Sequence, residues 1–329
     1  MKTINVCPCT LAPGYSTYSP VAIKHFAGGH KVSHILPYEG FPSVSERSIF
    51  DDNRERMSLS GAQTKFSVVI DGGKFRLAKS GEQGTFILKP KLLQFENREF
   101  SPANEHLTMQ IASQVYGIET AQSALCFSEN GEAAYLTRRY DISTNGIKQS
   151  QEDFATLAGI SKDTHGGNFK YIACSYEDIG KLFQKYLPAW RIEIIKYFDV
   201  LLFNFVYGNG DAHIKNFSAL KTASGDYRLA PAYDLICTQL HIPGDSIFAL
   251  DKGLYNGWVK GHYVTGTDFL ILAERIGISE KIAHREIDRF CADYPLSDKL
   301  IDNSFLSPEL KDRYRSLRED RINCFLKAR

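Results

Sequence analysis

The amino-acid sequence predicts an α+β fold with two lobes, a small lobe built on an antiparallel sheet and a larger lobe that is mostly helical. Patterns typical of strands are concentrated before residue 140, whereas helical patterns predominate after it. The length of 329 residues also exceeds the usual size of a single domain, which favours two domains with separate cores. We therefore expect a first domain over residues 1–140 and a second over residues 141–329.

The first lobe is predicted to follow the order strand, strand, strand, helix, strand, strand. A turn at Asp71-Gly72-Gly73 separates two runs of alternating apolar residues and indicates a hairpin. Pro102 marks the start of a helix with apolar residues at helical spacing, and Gly117 ends it. This order is the plan of the small lobe of a kinase. The predicted strands span residues 65–70, 74–78, 85–89, 122–127 and 133–139.

The segment before the first predicted strand has no clear periodicity. Residues 1 to about 50 are rich in Gly, Pro, Ser, Tyr and His, so we expect them to wrap the surface or to lack order. Cys7 and Cys9 form the only close pair among seven cysteines, and two thiolates alone cannot complete a tetrahedral zinc site. A packed terminus with reduced thiols is the simpler interpretation.

The second lobe is expected to consist mostly of helices and to contain one hairpin. Residues 191–206 have a helical pattern that leads directly into a loop at Gly208. A hairpin predicted over residues 217–230 would bring Asp234 to the same end of the lobe as that loop. Residues 262–329 are predicted to form three helices.

The loop after Gly208 carries the residues expected of a phosphoryl-transfer centre. Asp211 is followed five residues later by Asn216, and Asp234 comes after the predicted hairpin. In kinases the first Asp accepts the proton of the attacking hydroxyl, while the later Asn and Asp hold the magnesium that bridges the ATP phosphates. Because magnesium needs only a few hard oxygen ligands, Asn216 and Asp234 suffice, and Asp211 is left to act as the base. An ordinary turn at residues 209–211, with Asp234 as a cap, is the competing interpretation, but it does not require Asn216.

Two parts of the small lobe are candidates for contacting the ATP phosphates. Small residues between Ser58 and Lys65 would let backbone N–H groups approach phosphate oxygens, although a simple turn that opens a strand has the same composition. This segment lacks the glycine spacing of a Walker loop and of the usual protein-kinase loop. Lys89 ends an apolar strand, where its ammonium could either meet the phosphates or face solvent. Glu105, near the start of the next helix, would either orient Lys89 or favour the positive helix terminus.

Charge and hydrophobicity limit the classes of partner. The formal net charge is +1, so no overall field indicates direct nucleic-acid binding. No run of eighteen or more apolar residues occurs, and the N-terminus lacks the features of a signal peptide. We therefore expect a cytoplasmic protein that does not bind a membrane.

Several short segments between residues 57 and 240 together form a recognisable series. They are Ser58-Leu59-Ser60-Gly61-Ala62-Gln63-Thr64-Lys65, Ile87-Leu88-Lys89-Pro90, Asn104-Glu105, Arg138-Arg139-Tyr140-Asp141, Gln151-Glu152-Asp153, the loop from Gly208 to Phe217, and Pro231-Ala232-Tyr233-Asp234. In kind and in order these segments resemble the HipA family of bacterial toxin kinases. The helices after residue 240 agree with the family only in general character.

The resemblance implies a two-lobed protein-kinase-like fold and a serine/threonine protein kinase that uses ATP and Mg²⁺. By this resemblance, Asp211 would be the catalytic base, and Asn216 and Asp234 would be ligands of the metal. Lys89 would contact the ATP phosphates. The nucleotide would also meet a phosphate loop, a hinge whose backbone contacts adenine, and a histidine after the base. These residues are Ser60, Gly61, Ala62, Gln63, Thr64 and Lys65 in the loop, Arg138, Arg139 and Tyr140 in the hinge, and His213.

The chain departs from the full-length members of the family in two respects. Only 56 residues precede Met57, whereas full-length HipA proteins have a longer segment before the kinase core. The chain therefore resembles the short HipT-like members, in which a separate small protein supplies the missing N-terminal subdomain. Ser60 stands where longer relatives tend to have Ala, and it forms a Ser-x-Ser pair with Ser58. In HipT-like proteins this pair is autophosphorylated, and the resemblance implies the same for Ser58 and Ser60.

The resemblance also implies the partners of a toxin–antitoxin system. The protein substrate would be an aminoacyl-tRNA synthetase, and the inhibitor would be a helix-turn-helix DNA-binding antitoxin. Two other functions stay open on the residues alone. A kinase of small molecules or lipids would use the same catalytic loop, and a non-catalytic module would bind ATP only to sense it. The presence of the base and of both metal residues favours catalysis.

Overall fold

The computed structural model describes residues 4–41, 63–143, 145–259, 261 and 263–326. These residues divide into two compact units. The first runs to Tyr140 and also includes Leu240–Ile242 and Tyr294–Lys311, while the second contains the remainder. The first unit is built on a sheet and the second is mostly helical, so the α+β class predicted from the sequence is confirmed. The assignment of domains on either side of residue 140 stays a prediction.

A five-stranded antiparallel sheet lies in the first unit. Its strands are β1 (Phe66–Asp71), β2 (Lys74–Leu77), β3 (Phe86–Lys89), β4 (Ser123–Phe127) and β5 (Ala133–Arg138), arranged in the order β2-β1-β3-β5-β4. Asp71 pairs with Lys74, and Gly72 and Gly73 between them both have positive φ. Two residues in this conformation match the twist of a two-residue hairpin, so the predicted hairpin is confirmed.

The N-terminal segment packs against this sheet. It contains a short helix, α1 (Pro20–His25). Tyr18 and Phe26 are buried and contact aromatic rings of β2 and β3, and Cys7 and Cys9 are buried as well. The expectation that this segment wraps the surface or lacks order is therefore wrong for its described part. Turns interrupt its apolar residues, so no periodic pattern in the sequence reveals their burial.

The first unit also contains the helix that carries Glu105. This helix, α2 (Ser101–Gln114), has Pro102 in its first turn, and Gly117 has positive φ just beyond its end, as the sequence predicts. Most of its residues are buried because it packs against β4, β5 and a later helix. The polar side chains of α2 therefore need partners inside the protein.

The second unit is mostly helical. Its helices are α3 (Phe154–Leu157), α4 (Lys162–His165), α5 (Phe169–Ile172), α6 (Tyr176–Tyr186), α7 (Trp190–Val206), α8 (Gly266–Arg275) and α9 (Glu280–Cys291). Its antiparallel sheet has the strand order β6 (Gln151–Asp153), β7 (Ser218–Lys221), β8 (Tyr227–Leu229). The helix predicted before the Gly208 loop and the hairpin predicted after it are thus both present, as α7 and as β7–β8.

The described residues from 263 to 326 form four helices where the sequence predicts three. After α8 and α9 come α10 (Pro295–Asn303) and α11 (Pro308–Leu326). Pro295 and Pro308 each occupy the first helical position, where proline starts a new helix without losing a hydrogen bond. Across the described ranges, each helix is too short or too polar to span a lipid bilayer.

Candidate active site

Two glycines and a threonine hold the loop between α7 and β7 in shape. Gly208 has a φ of 64°, which glycine adopts without strain. A Cβ on Gly210 would lie 2.3 Å from the Ser246 carbonyl oxygen, so no larger residue fits there. The Gly210 amide donates to the Thr238 hydroxyl at 2.9 Å, and the Thr238 amide donates to the Gly208 carbonyl at 3.0 Å. These bonds fix the loop that carries Asp211.

Asp211 is partly buried, and its carboxylate receives a hydrogen bond from a distant part of the chain. Within the loop, the Asp211 amide donates to the side-chain oxygen of Asn209 at 3.1 Å. The hydroxyl of Tyr171, 40 residues earlier, donates to Asp211 Oδ1 at 3.0 Å. An oriented and partly accessible carboxylate fits the role of proton acceptor that the sequence predicts for Asp211.

Asn216 and Asp234 line one small pocket of the second unit. Asn216 ends a single 3₁₀ turn, and its side-chain oxygen is buried without a hydrogen-bond partner among the described residues. Asp234 has a φ of 56°, a left-handed conformation that costs a non-glycine residue on the order of 1–3 kcal/mol. A buried acceptor without a partner is also unfavourable, so both features are typical of a site shaped for a ligand.

The chemistry of these two residues fits a magnesium ion. Magnesium prefers carboxylate and carboxamide oxygens, and it takes only a few from the protein because it retains water or phosphate ligands. The unsatisfied Asn216 oxygen and the Asp234 carboxylate supply such a set. Within the described ranges, no cluster of three or more His, Cys, Asp or Glu side chains forms a metal site, and magnesium does not require one.

His213 lies in the same loop, between Asp211 and Asn216, and is buried. Burial lowers the pKa of His213 to about 3, and the nearby charges of Lys170 and Lys215 also lower it, so the imidazole is neutral at physiological pH. The ring lies edge-on to that of Tyr171, with the two centroids 5.4 Å apart. Its Nδ1 has no hydrogen-bond partner in the part of the chain that the structure describes. The predicted contact between His213 and the nucleotide stays a prediction.

In the first unit, Lys89 and Glu105 form a buried ion pair. Lys89 Nζ lies 2.6 Å from Glu105 Oε1, and the two side chains are 5% and 3% exposed. Lys89 therefore does not face solvent. Glu105 lies beyond the first turn of α2, which contains no acidic residue, so the helix terminus does not account for it. Of the two roles left open for Glu105, the pairing with Lys89 is confirmed.

The described end of the predicted phosphate loop contacts the residue after Lys89. The Gln63 side-chain amide donates to the Pro90 carbonyl at 2.8 Å. Thr64 and Lys65 then lead directly into β1. The predicted nucleotide contacts at Ser60, Gly61 and Ala62, and the predicted phosphorylation sites Ser58 and Ser60, lie outside the described residues.

The predicted hinge begins at the end of β5. The Arg138 amide donates to the Gln122 carbonyl at 2.8 Å, and the Arg139 amide donates to the Thr85 carbonyl at 2.9 Å. Both amides are thus engaged within the first unit, and adenine would have to bind to other backbone groups of the segment that ends at Tyr140. The assignment of the hinge stays a prediction.

A comparison with protein families covers all of these residues. Residues 57–296 match the family model of the HipA-like C-terminal domain. The chain belongs to this family. The matched range contains every predicted site residue from Ser58 to Asp234, so the HipA resemblance drawn from the sequence is confirmed.

Individual proteins that are similar to this chain match it over part of their own length. The protein Y4mE of Sinorhizobium fredii is 33% identical over 190 residues, which are 56% of this chain and 43% of Y4mE. The serine/threonine-protein kinase toxin HipA of Shewanella oneidensis is 27% identical over 213 residues, 58% of this chain and 45% of that protein. The chain thus spans less than half the length of these two relatives.

A solved structure from Shewanella oneidensis has a similar fold. It is a complex of HipA, HipB and operator DNA, and its similarity to this chain has a TM-score of 0.65 at 20% sequence identity. The match covers 84% of this chain and 66% of that chain. At this identity the likeness establishes a HipA-like kinase fold, and the predicted fold is confirmed.

Two residues that shape the site in this HipA-like domain were not identified from the sequence. Thr238 lies four residues after Asp234, so a residue with a hydroxyl group close to this predicted metal ligand could have been noticed in the sequence. Tyr171 gave no signal, because no local pattern connects it with Asp211 across 40 residues.

Proposed function

We propose that this chain is an ATP-dependent serine/threonine protein kinase that acts as the toxin of a toxin–antitoxin system. One observation carries the proposal. The loop that holds Asp211 in a hydrogen bond with Tyr171 also ends at Asn216, whose buried oxygen has no partner among the described residues and lines a pocket with Asp234. A base and a buried oxygen without a described partner on one loop, with the Asp234 carboxylate lining the same pocket as that oxygen, are parts that phosphoryl transfer requires.

In the proposed reaction, a serine or threonine hydroxyl of the substrate attacks the γ-phosphorus of ATP. The new oxygen–phosphorus bond forms as the bond to the β-phosphate oxygen breaks, and ADP leaves. Asp211 orients the hydroxyl and accepts its proton. Asn216 and Asp234 would hold magnesium, which neutralises charge on the phosphates when bound. Lys89, fixed by Glu105, would contact ATP phosphates.

The substrate and partners are proposed from the family. We propose an aminoacyl-tRNA synthetase as the protein substrate and a helix-turn-helix DNA-binding antitoxin as the inhibitor, and a small N-subdomain-like protein as a further partner. The Shewanella HipA structure, with HipB and operator DNA, supports an antitoxin of this kind. We also propose that the chain acts in the cytoplasm and phosphorylates itself on Ser58 and Ser60.

Transfer of label from radiolabelled ATP tests the proposal. The acceptors are the chain itself, aminoacyl-tRNA synthetases, and panels of small molecules and lipids. Asp211→Asn should retain ATP binding but lower the transfer rate by about 10²- to 10⁴-fold, the usual contribution of a general base. Asp226→Asn, in the turn between β7 and β8, is the matched control and should transfer at the normal rate.

The outcomes separate the alternatives. Near-normal transfer by Asp211→Asn would contradict the assignment of the base. Label on a small molecule or lipid, with none on protein, would favour the other class of kinase. Mass spectrometry of the same reaction must find phosphate on Ser58 or Ser60 in the unaltered chain and none in Asp211→Asn, or the proposed autophosphorylation is wrong.

A further inference from the structure

A short segment of the second unit directs two tyrosine hydroxyls at the catalytic loop. Tyr171 donates to Asp211 Oδ1 at 3.0 Å, and Tyr176 donates to the Ala212 carbonyl at 2.9 Å. Both tyrosines are almost fully buried, at 1% and 2% exposure. The hydroxyl of Tyr171 is therefore brought to the carboxylate by the packing of the unit and not by the flexibility of a surface side chain.

The surroundings of Tyr171 fix the position of its hydroxyl. The backbone carbonyl of Tyr171 accepts a hydrogen bond from the Asp251 amide at 2.9 Å. Its ring lies edge-on to that of His213, which is itself buried. The carbonyl of Ala173, two residues after Tyr171, accepts a hydrogen bond from Lys252 Nζ at 2.7 Å. These contacts leave the tyrosine ring little freedom to move away from Asp211.

An Asp carboxylate turns about two side-chain torsions, and only part of that range presents an oxygen to an incoming hydroxyl. A fixed donor on Oδ1 restricts both torsions. Tyrosine is suited to this task because its hydroxyl stays protonated at neutral pH and its ring is rigid. The bond from Tyr171 thus selects one orientation of the group that accepts the substrate proton.

We propose that Tyr171 is a positioning residue for the phosphoryl-transfer reaction, acting through Asp211. This inference rests on the proposed function, since it assigns a task to a residue that holds the proposed base. It predicts that removal of one oxygen atom, 40 residues away from the catalytic loop in sequence, slows the chemical step without weakening the binding of ATP.

Steady-state hydrolysis of Mg-ATP, with water as the acceptor, measures kcat and the KM for ATP without a known protein substrate. Tyr171→Phe keeps the ring and removes only the hydroxyl. We expect kcat to fall by about 10- to 100-fold, the range that a small misplacement of a catalytic group produces, while KM changes by less than about twofold. Tyr186→Phe is the matched control, because its hydroxyl donates to the Leu157 carbonyl at 2.6 Å, remote in sequence from the loop; its kcat should be normal.

Two further variants separate positioning from a general structural effect. Para-aminophenylalanine at position 171 retains a donor at the end of the same ring and should restore most of kcat. In the Asp211→Asn background, Tyr171→Phe should cause no further loss, because the carboxylate on which it acts is gone. A destabilised fold would instead lower kcat by the same factor in both backgrounds.

The results also distinguish this inference from the proposed function. If Asp211→Asn hydrolyses ATP at the normal rate, the assignment of the base fails, and the role of Tyr171 fails with it. If Asp211→Asn is inactive but Tyr171→Phe keeps kcat within about twofold of the unaltered chain, only the positioning role is overturned. Equal losses in the two backgrounds, or no rescue by the amino group, would overturn it as well.

Discussion

The ammonium of Lys89 lies 2.6 Å from the carboxylate of Glu105, and both groups are almost completely withdrawn from solvent. Lys89 ends β3 and Glu105 lies in α2, so the pair ties a strand of the sheet to the helix packed against it. A buried pair of opposite charges adds little net stability, but removal of either partner leaves the other charge buried and uncompensated. The ion pair therefore fixes where the Lys89 ammonium lies, which is the requirement for its proposed contact with phosphate.

Replacement of Glu105 by Gln should destabilise the protein strongly and weaken nucleotide binding. The substitution leaves the Lys89 ammonium buried without its counter-charge, which typically costs about 3–5 kcal/mol. The matched control is Glu132→Gln, since Glu132 pairs with Lys91 at 3.0 Å on the surface and should contribute about 1 kcal/mol or less. Urea unfolding and ATP titration measure both effects. A Glu105→Gln protein as stable as the control would contradict this account of the pair.

Replacement of Asn216 by Ala should impair metal use without destabilising the fold. Its side-chain oxygen is buried and has no partner among the described residues, so its removal deletes an unfavourable group. We expect unchanged or slightly higher stability, together with a magnesium requirement for ATP binding raised by about tenfold or more. Asn209→Ala is the comparison for stability, because Asn209 donates to Asn204 at 3.0 Å and accepts from the Asp211 amide at 3.1 Å, so its loss should cost about 1 kcal/mol or more. An unaltered magnesium requirement in Asn216→Ala would exclude it as a ligand.

Replacement of Thr238 by Val should loosen the loop that carries Asp211. The Thr238 hydroxyl accepts from the Gly210 amide and contacts the Gly208 carbonyl and the Asp245 carboxylate. Valine has nearly the same shape but leaves the buried Gly210 amide without its acceptor, at a cost of about 1–3 kcal/mol. Thr238→Ser keeps the hydroxyl and should lose much less stability. Hydrogen exchange at the Gly210 amide reports the effect directly, and equal protection in both variants would show that the hydroxyl does not hold the loop.

The stability of the protein should fall in acid, in part through His106 of α2. Burial lowers the pKa of His106 to about 4, although a hydrogen bond between its Nε2 and the Cys9 carbonyl opposes the shift. The unfolded chain binds a proton at this residue below pH of about 6.5, whereas the folded chain does not do so until about pH 4. The titration of His106 therefore does not change the free energy of unfolding above about pH 7. As the pH falls from about 6.5 to 4, it lowers that free energy by up to roughly 3 kcal/mol.

Replacement of His106 by Gln tests this origin of the acid sensitivity. Glutamine keeps an amide donor near the Cys9 carbonyl but does not titrate. The loss of stability between pH 6.5 and 4 should be smaller in the variant by about 1 kcal/mol or more per pH unit, as measured by urea unfolding across that range. The same slope in both proteins would assign the sensitivity to other groups.

The sequence by itself determined the local features of this protein. The Asp71-Gly72-Gly73 turn, the start of α2 at Pro102 and the position of α7 follow from short-range preferences of the backbone, and each is present in the structure. The spacing from Asp211 to Asn216 likewise places two side chains on one short loop, because neighbouring residues cannot lie far apart. Such features depend on few residues, so a single sequence is enough to predict them.

Only the tertiary structure decided which distant groups meet. It paired Glu105 with Lys89 and brought Tyr171 to Asp211. It also buried side chains of the N-terminal segment, whose composition indicated that it would wrap the surface or lack order. Within the part of the chain that the structure describes, it also left the Asn216 oxygen without a partner, which no spacing in the sequence could predict. The physical reason is that burial and long-range hydrogen bonds arise from the packing of whole helices and sheets. That packing depends on many side chains together and not on any local pattern.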